Sequence, residues 1–233
     1  MKAIQITAFG GPDVMKYVDL ADPVAGTDEV VLDVTAVGIN YADTHQTENS
    51  YLSPQTLPMI PGIEVVGTHD GKRYLASVSS GGYAQKAVAH KSVMIPVPDS
   101  VSDQEALCML VQGSTAWHLL KTMGQLEKGQ SVVIHAAAGG VGTIAIQLAK
   151  LWGAKVIAVT SSDSKAELAK KLGADHVVDA ASEDLPKALR DANGGRGVNL
   201  ILEMVGGKTF DQSLLALGTF GKLITFGMAS RTA

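Results

Sequence analysis

Ser131-Val-Val-Ile-His-Ala-Ala-Ala-Gly-Gly-Val-Gly142 runs from an apolar stretch straight into a glycine-rich turn. Val132 to Ala136 suit a strand covered on both faces. Ala137 to Gly142 fill a G-x-G-x-x-G frame, with Ala137 in place of the first glycine. In that frame Gly139 lets backbone approach a phosphate with no Cβ in the way, and Gly142 lets the next helix pack closely on the strand. The amides opening that helix are unpaired donors at its positive end, which suits an anion. Ala138, Gly139, Gly140, Val141 and Gly142 are therefore the candidate contacts for a dinucleotide pyrophosphate.

The chain downstream completes the unit. Ile144, Ile146, Leu148, Ala149 and Leu151 make a largely apolar helix, as for one packed on a sheet, and Lys155–Thr160 reads as a second buried strand. Val132–Ala149 is almost uncharged, but its glycine and histidine interruptions and polar flanks argue against a membrane span. The second strand ends Ala158-Val-Thr-Ser-Ser162, without the Asp or Glu that accepts a ribose 2′-hydroxyl in NAD enzymes. Hydroxyls at Thr160, Ser161 and Ser162 and the cation of Lys165 suit a 2′-phosphate, so NADPH is favoured over NADH. Helix capping is the competing use of these serines, and Asp163 stands close enough to reach a ribose and favour NADH.

The elements that position these residues differ in the two halves. The first reads as short strands, Lys2–Thr7, Glu29–Ile39, Ile63–Thr68, Arg73–Ser79, Tyr83–Ala89 and Ser92–Pro96, separated by Gly and Pro turns. That pattern suits a small antiparallel barrel or sandwich. Asp103–Met123 reads as a connecting helix. Strands at 131–136, 155–160, 175–178, 198–203 and 222–226 then alternate with helices. Ser164-Lys-Ala-Glu167 reads as a capping box for a helix ended by Gly173, and Thr209–Leu217 as a helix ended by Gly218. A complete doubly wound dinucleotide domain has six strands, so the five placed here predict a C-terminally incomplete one, whether as a fragment or a shortened form.

Composition sets the outer bounds. The chain has 233 residues, 46% hydrophobic and 18% charged, with net charge −4. It is long enough for two modest domains and has no basic excess to point to nucleic acid. The N-terminus lacks an apolar leader and cleavage site, so the expected location is cytoplasmic. A single cysteine, Cys108, excludes an intramolecular disulfide and a multi-cysteine zinc lobe.

Several motifs together resemble the zinc-independent quinone oxidoreductases of the medium-chain dehydrogenase/reductase superfamily. They are Val37-Gly-Ile-Asn-Tyr-Ala-Asp43, Pro61-Gly-Ile-Glu-Val-Val-Gly67, Gly81-Gly-Tyr-Ala84, Gln112-Gly-Ser-Thr-Ala116 and His135-Ala-Ala-Ala-Gly-Gly-Val-Gly142, in family order. The resemblance implies an α/β chain: a GroES-like antiparallel β domain over 1–110, carrying substrate and catalysis, then a Rossmann NAD(P)-binding domain over 111–233 that lacks the last strand and C-terminal return. Zinc relatives place a cysteine in the Gly-Ile-x segment and a His-Glu pair after Pro-Gly; here Asn40 and Ile63-Glu64 stand there, so no metal is expected. His45, His69, His90, His118, His135 and His176 show no metal spacing and read as surface or packing residues.

Without a Lewis acid, the acceptor must take hydride readily, as a quinone or enone does, and catalysis rests on proximity and donors for the developing oxyanion. The resemblance implies that Asn40 and Tyr51 line the substrate pocket, Tyr51 as a stabiliser or proton donor. It further implies Thr115 near the nicotinamide, Ser161 and Lys165 at the 2′-phosphate, Val205 and Gly206 at the nicotinamide ribose, and Phe226 and Gly227 by the carboxamide. Asn40 and Asp43 have the competing role of local backbone hydrogen bonding. Departures from the family pattern are His45 in place of a second pocket tyrosine, Ala180 in place of a tyrosine beside the adenosine phosphate, and a short Thr68–Tyr83 stretch. The sequence thus predicts an NADPH-dependent quinone or enone reductase, soluble and without nucleic-acid partners, with a homodimer as the family's assembly. An enoyl-thioester or alkenal reductase and a non-catalytic NADPH-binding sensor remain as alternatives.

Overall fold

A computed structural model describes residues 1–51 and 53–232, so Ala233, the end of the expected second domain, lies outside the described residues. The chain divides into two compact units, Met1–Val111 and Gln112–Ala233.

The first unit contains β1 (Lys2–Gln5), β2 (Lys16–Asp19), β3 (Glu29–Val37), α1 (Tyr41–Thr47), β4 (Glu64–His69), β5 (Lys72–Ser77), β6 (Lys86–His90), β7 (Met94–Pro96) and α2 (Asp103–Cys108). β1 and β2 form an antiparallel pair, and the other strands form an antiparallel sheet in the order β6-β3-β4-β5-β7. Alternation along β4 and β5 divides their side chains between two apolar clusters. Val65 and Ala76 join Val30 and Leu32 on one face, while Val66 and Leu75 meet Ala106 and Leu107 of α2 on the other. Asp70 (φ 49°) and Gly71 (φ 72°) make the two-residue turn between β4 and β5, the left-handed pair that a tight hairpin requires.

The sequence reading missed β2 and α1. Lys16–Asp19 is mostly exposed, so it lacks the half-buried alternation that marks a strand. α1 is seven residues long, and its buried side chains are Asp43, His45, Gln46 and Thr47, which leaves no apolar stripe to read.

The second unit contains α3 (Ser114–Trp117), β8 (Ser131–Ile134), α4 (Gly140–Leu151), β9 (Lys155–Thr160), α5 (Asp163–Lys171), β10 (His176–Asp179), α6 (Leu185–Ala192), β11 (Val198–Glu203), α7 (Lys208–Ala216) and β12 (Leu217–Thr225). Its sheet is entirely parallel, in the order β10-β9-β8-β11-β12, the doubly wound arrangement whose ligands lie beyond the carboxyl ends of the strands. Alternation divides each central strand between two cores. Val132, Ile134, Val156 and Ala158 face Ala145, Ile146 and Ala149 of α4. Val133, Ile157 and Ile201 face Leu185 and Leu189 of α6 and Ala216 of α7. Both faces are therefore covered, which explains the continuous apolar runs in the sequence.

Three boundaries differ from expectation. Asp103–Met123 is helical throughout, but wider π-type turns at Met109–Gly113 and His118–Met123 interrupt it. α5 begins after Ser162, so Ser164 lies inside the helix and is not its cap. Gly218 does not end α7: the chain turns extended at Leu217, and Gly218 lies within β12 against the backbone of Gly197. Among the described residues no helix is long and apolar enough to cross a membrane.

Candidate active site

β8 ends in the turn that the sequence singled out. Ala136 takes the left-handed conformation (φ 47°), one position before the residue that replaces the frame's first glycine. That conformation costs a non-glycine residue roughly 1–2 kcal/mol. Gly139 is the N-cap of α4 and carries no side chain to bond its first turn, so the amides of Gly140, Val141 and Gly142 open the helix without a side-chain partner. Gly142 is needed for packing: a Cβ there would lie 2.6 Å from the carbonyl oxygen of Ala137 and 2.7 Å from that of Ala136.

The turn borders a cavity of about 300 Å³ at the carboxyl end of the sheet. Ala138, Gly139, Ser161, Lys165 and Val205 all line it, as does Ala180. Lys165 Nζ donates to Ser161 Oγ at 3.1 Å, placing a cation beside a hydroxyl just past β9. Asp163 is not on the cavity wall, so the acid that could favour NADH is set aside from it. A dinucleotide fits this donor set: unpaired helix amides for a pyrophosphate, then Ser161 and Lys165 for a further phosphate.

The residues expected around the nicotinamide are partly assembled. Glu203, fully buried at the end of β11, accepts from the amides of Val205 (2.6 Å) and Gly206 (2.9 Å) through Oε1, while its Oε2 has no partner. The amide of Phe226 donates to the Glu203 carbonyl at 2.9 Å, so Val205, Gly206, Phe226 and Gly227 meet at adjacent strand ends. The amide of Ser230 donates to the carbonyl of Val205 at 2.8 Å, which lays the segment after β12 over this turn. Thr115 is half-buried in α3, away from the cavity wall. Sequence reasoning missed Glu203. Its only signal was a carboxylate closing an otherwise apolar strand.

His135 is a packing residue, as the sequence implies, and it also reaches the cavity. It is 2% exposed, lines the cavity, and contacts Ser213 Oγ of α7 through Nε2 at 2.9 Å. Burial pushes its pKa down to about 4, so the ring is neutral.

In the first unit a polar cluster surrounds Asn40, the N-cap of α1. Its Nδ2 donates to Glu64 Oε1 at 2.9 Å, and Glu64 Oε2 accepts from the amide of Val111 at 3.1 Å. Glu64 is fully buried, and a Cβ on Gly38 would collide with its carboxylate. Asp43 Oδ2 accepts from the Asn40 amide at 2.8 Å and from the Tyr83 hydroxyl at 2.6 Å. Burial, then the Asp43 carboxylate, pushes the Tyr83 phenol above its usual value, so it remains a donor. The Asp43 contact realises the local backbone bonding that competes with a catalytic role. Tyr51 is 42% exposed in the loop after α1. Among the described residues no group of three or more His, Cys, Asp or Glu could hold a metal.

Known proteins resemble this chain in sequence and fold. Residues 26–71 match the alcohol dehydrogenase GroES-like domain, and residues 140–233 match a family described as zinc-binding dehydrogenase. A quinone oxidoreductase of Pseudomonas aeruginosa is 32% identical over 98% of the chain and 74% of its own length. A 2-haloacrylate reductase from Burkholderia is 31% identical over 96% of the chain and 72% of its own length. The quinone oxidoreductase of Thermus thermophilus, solved also in complex with NADPH, is 38% identical with a TM-score of 0.87, over 97% of the chain and 73% of its own.

Proposed function

The chain belongs to the zinc-independent quinone oxidoreductase branch of the medium-chain dehydrogenase/reductase superfamily, and from this we propose that it is an NADPH-dependent, metal-free reductase of quinones or enones. The observation that supports this most is a single cavity walled by Gly139, Ser161 and Lys165 at the carboxyl end of a parallel sheet, with no acid at the end of β9. In this reading the second unit holds the cofactor and the first supplies substrate contacts.

When bound, the dihydronicotinamide supplies the hydride. The protein's own work is binding and orientation. The first-turn amides of α4 hold the pyrophosphate, and Lys165 with Ser161 holds the 2′-phosphate. Val205, Gly206, Phe226 and Gly227, with Thr115, border the nicotinamide end. Asn40 is held by Glu64 and shapes the acceptor pocket, and Tyr51 offers its hydroxyl to the oxygen that gains charge. Tyr51 would donate a hydrogen bond to the carbonyl oxygen of an enone as charge builds there, and Tyr51 or solvent would supply the proton that ends on the α-carbon.

A second reading is reduction of another activated double bond, as in an enoyl thioester or alkenal. It is favoured by the likeness to a protein named for 2-haloacrylate reduction. NADPH consumption with an ortho-quinone, a small enone and a crotonyl thioester as separate acceptors distinguishes the two. The proposal expects the quinone or enone to be reduced fastest. A clear preference for the thioester moves the chain to the second reading, and tight NADPH binding with no turnover of any acceptor leaves only a sensor.

A further inference from the structure

His135 follows β8 and precedes the phosphate-cradling turn, and it is the buried titratable side chain among the cavity-lining residues described above. Its tautomer follows from a short chain of hydrogen bonds. The Ser213 hydroxyl donates to the carbonyl oxygen of Thr209 at 2.7 Å. A serine hydroxyl has one proton, so at the 2.9 Å contact with His135 Nε2 the serine oxygen must accept. Nε2 therefore carries the hydrogen of the neutral imidazole, and Nδ1 is a bare acceptor.

Among the described residues Nδ1 has no protein hydrogen-bond partner, although the ring is 2% exposed and borders the cavity. A bare acceptor cannot bond a phosphate oxygen, which is also an acceptor, so it requires a donor from whatever fills the cavity. On a dinucleotide the donors nearest the pyrophosphate are the ribose hydroxyls on either side of it. The turn that begins at the next residue, Ala136, is the pyrophosphate site in this reading, so a ribose hydroxyl is the donor within reach.

We propose that His135 is a cofactor-binding residue, a tautomer-locked acceptor whose Nδ1 takes a hydrogen bond from a ribose hydroxyl of the bound dinucleotide, directly or through one ordered water. The inference rests on the dinucleotide reading of the cavity. It differs in kind from the role of Lys165, because a ribose hydroxyl is common to NADPH and NADH whereas a 2′-phosphate is not.

The test combines binding titrations with ¹⁵N-histidine NMR on the full chain. His135→Phe keeps a ring and removes the acceptor, and it should weaken NADPH and NADH by the same factor, about tenfold for one lost hydrogen bond. Lys165→Ala should weaken NADPH alone. In the wild-type protein the His135 resonances should report hydrogen on Nε2 and a bare Nδ1, and the Nδ1 signal should shift toward that of a hydrogen-bonded acceptor when NADPH is added. His135→Phe affinities within about twofold of wild type for both nucleotides, or an Nδ1 signal indifferent to NADPH, would overturn the inference and leave the proposed function standing. If His135→Phe does not fold, the wild-type Nδ1 response decides alone. A wild-type protein that binds neither nucleotide overturns the function and this inference with it.

Discussion

Asn40 Nδ2 donates to Glu64 Oε1 across 2.9 Å, joining two buried residues. The pair makes a neutral amide the partner of a buried carboxylate. Removing the amide takes one donor from a fully buried carboxylate, at a cost of about 1–3 kcal/mol. Asn40→Ala should therefore lower unfolding free energy in urea by that amount and slow acceptor reduction as the pocket loosens. Unchanged stability would mean that Glu64 is held adequately by its other partners.

Lys165 and Ser161 stand on the wall of a cavity that no Asp or Glu lines among the described residues. Lys165→Ala should raise the Kd for NADPH by roughly tenfold to a hundredfold, the scale of a charge-assisted hydrogen bond, and leave NADH nearly unaffected. Equal effects on the two nucleotides would make Lys165 a surface residue only.

Gly142 has no room for a methyl group, since the obstructing atoms at 2.6 and 2.7 Å are backbone carbonyl oxygens that cannot swing aside. Gly142→Ala should lower stability by about 1–3 kcal/mol and weaken NADPH binding as α4 shifts. Denaturant unfolding and nucleotide titration of the same variant check both effects.

His135 gives the fold a pH dependence of definite sign. Its folded pKa, about 4, lies below the unfolded value near 6.5, so the unfolded chain binds its proton first. The neutral contacts of Ser213 and Thr209 face it from α7, and Glu203, the acid ending the adjacent strand, is bonded to the amides of Val205 and Gly206. The full contribution is present above about pH 6.5 and falls away toward pH 4, a loss of roughly 3 kcal/mol. Stability measured across that range should fall more steeply for wild type than for His135→Phe. Parallel curves would contradict a neutral buried ring.

Much of the second unit was legible because its central strands are buried on both faces and its phosphate turn is defined by backbone, which glycine spacing reveals directly. Lys155–Thr160 and Val198–Glu203 have the bounds that their apolar runs imply. Side-chain networks left weaker traces. The roles of Glu203 and His135 depend on which residues of α7 and of the following turn reach them, and no local pattern encodes that. The first unit was harder for a related reason: α1 and its N-cap bury polar residues held by Glu64 and Tyr83, partners 24 and 40 positions away, so periodicity had nothing to detect. Asn40, by contrast, was found through motif resemblance, and its bonds to Glu64 and Asp43 show how it is held in place.

The most direct measurement is NADPH consumption with an ortho-quinone as the sole acceptor and a strong metal chelator present, alongside the hydroquinone formed. Metal-free hydride transfer predicts one hydroquinone per NADPH, at a rate the chelator does not change, with NADH the poorer donor. Tight NADPH binding without quinone or enone reduction, or activity abolished by the chelator and restored by zinc, would contradict it.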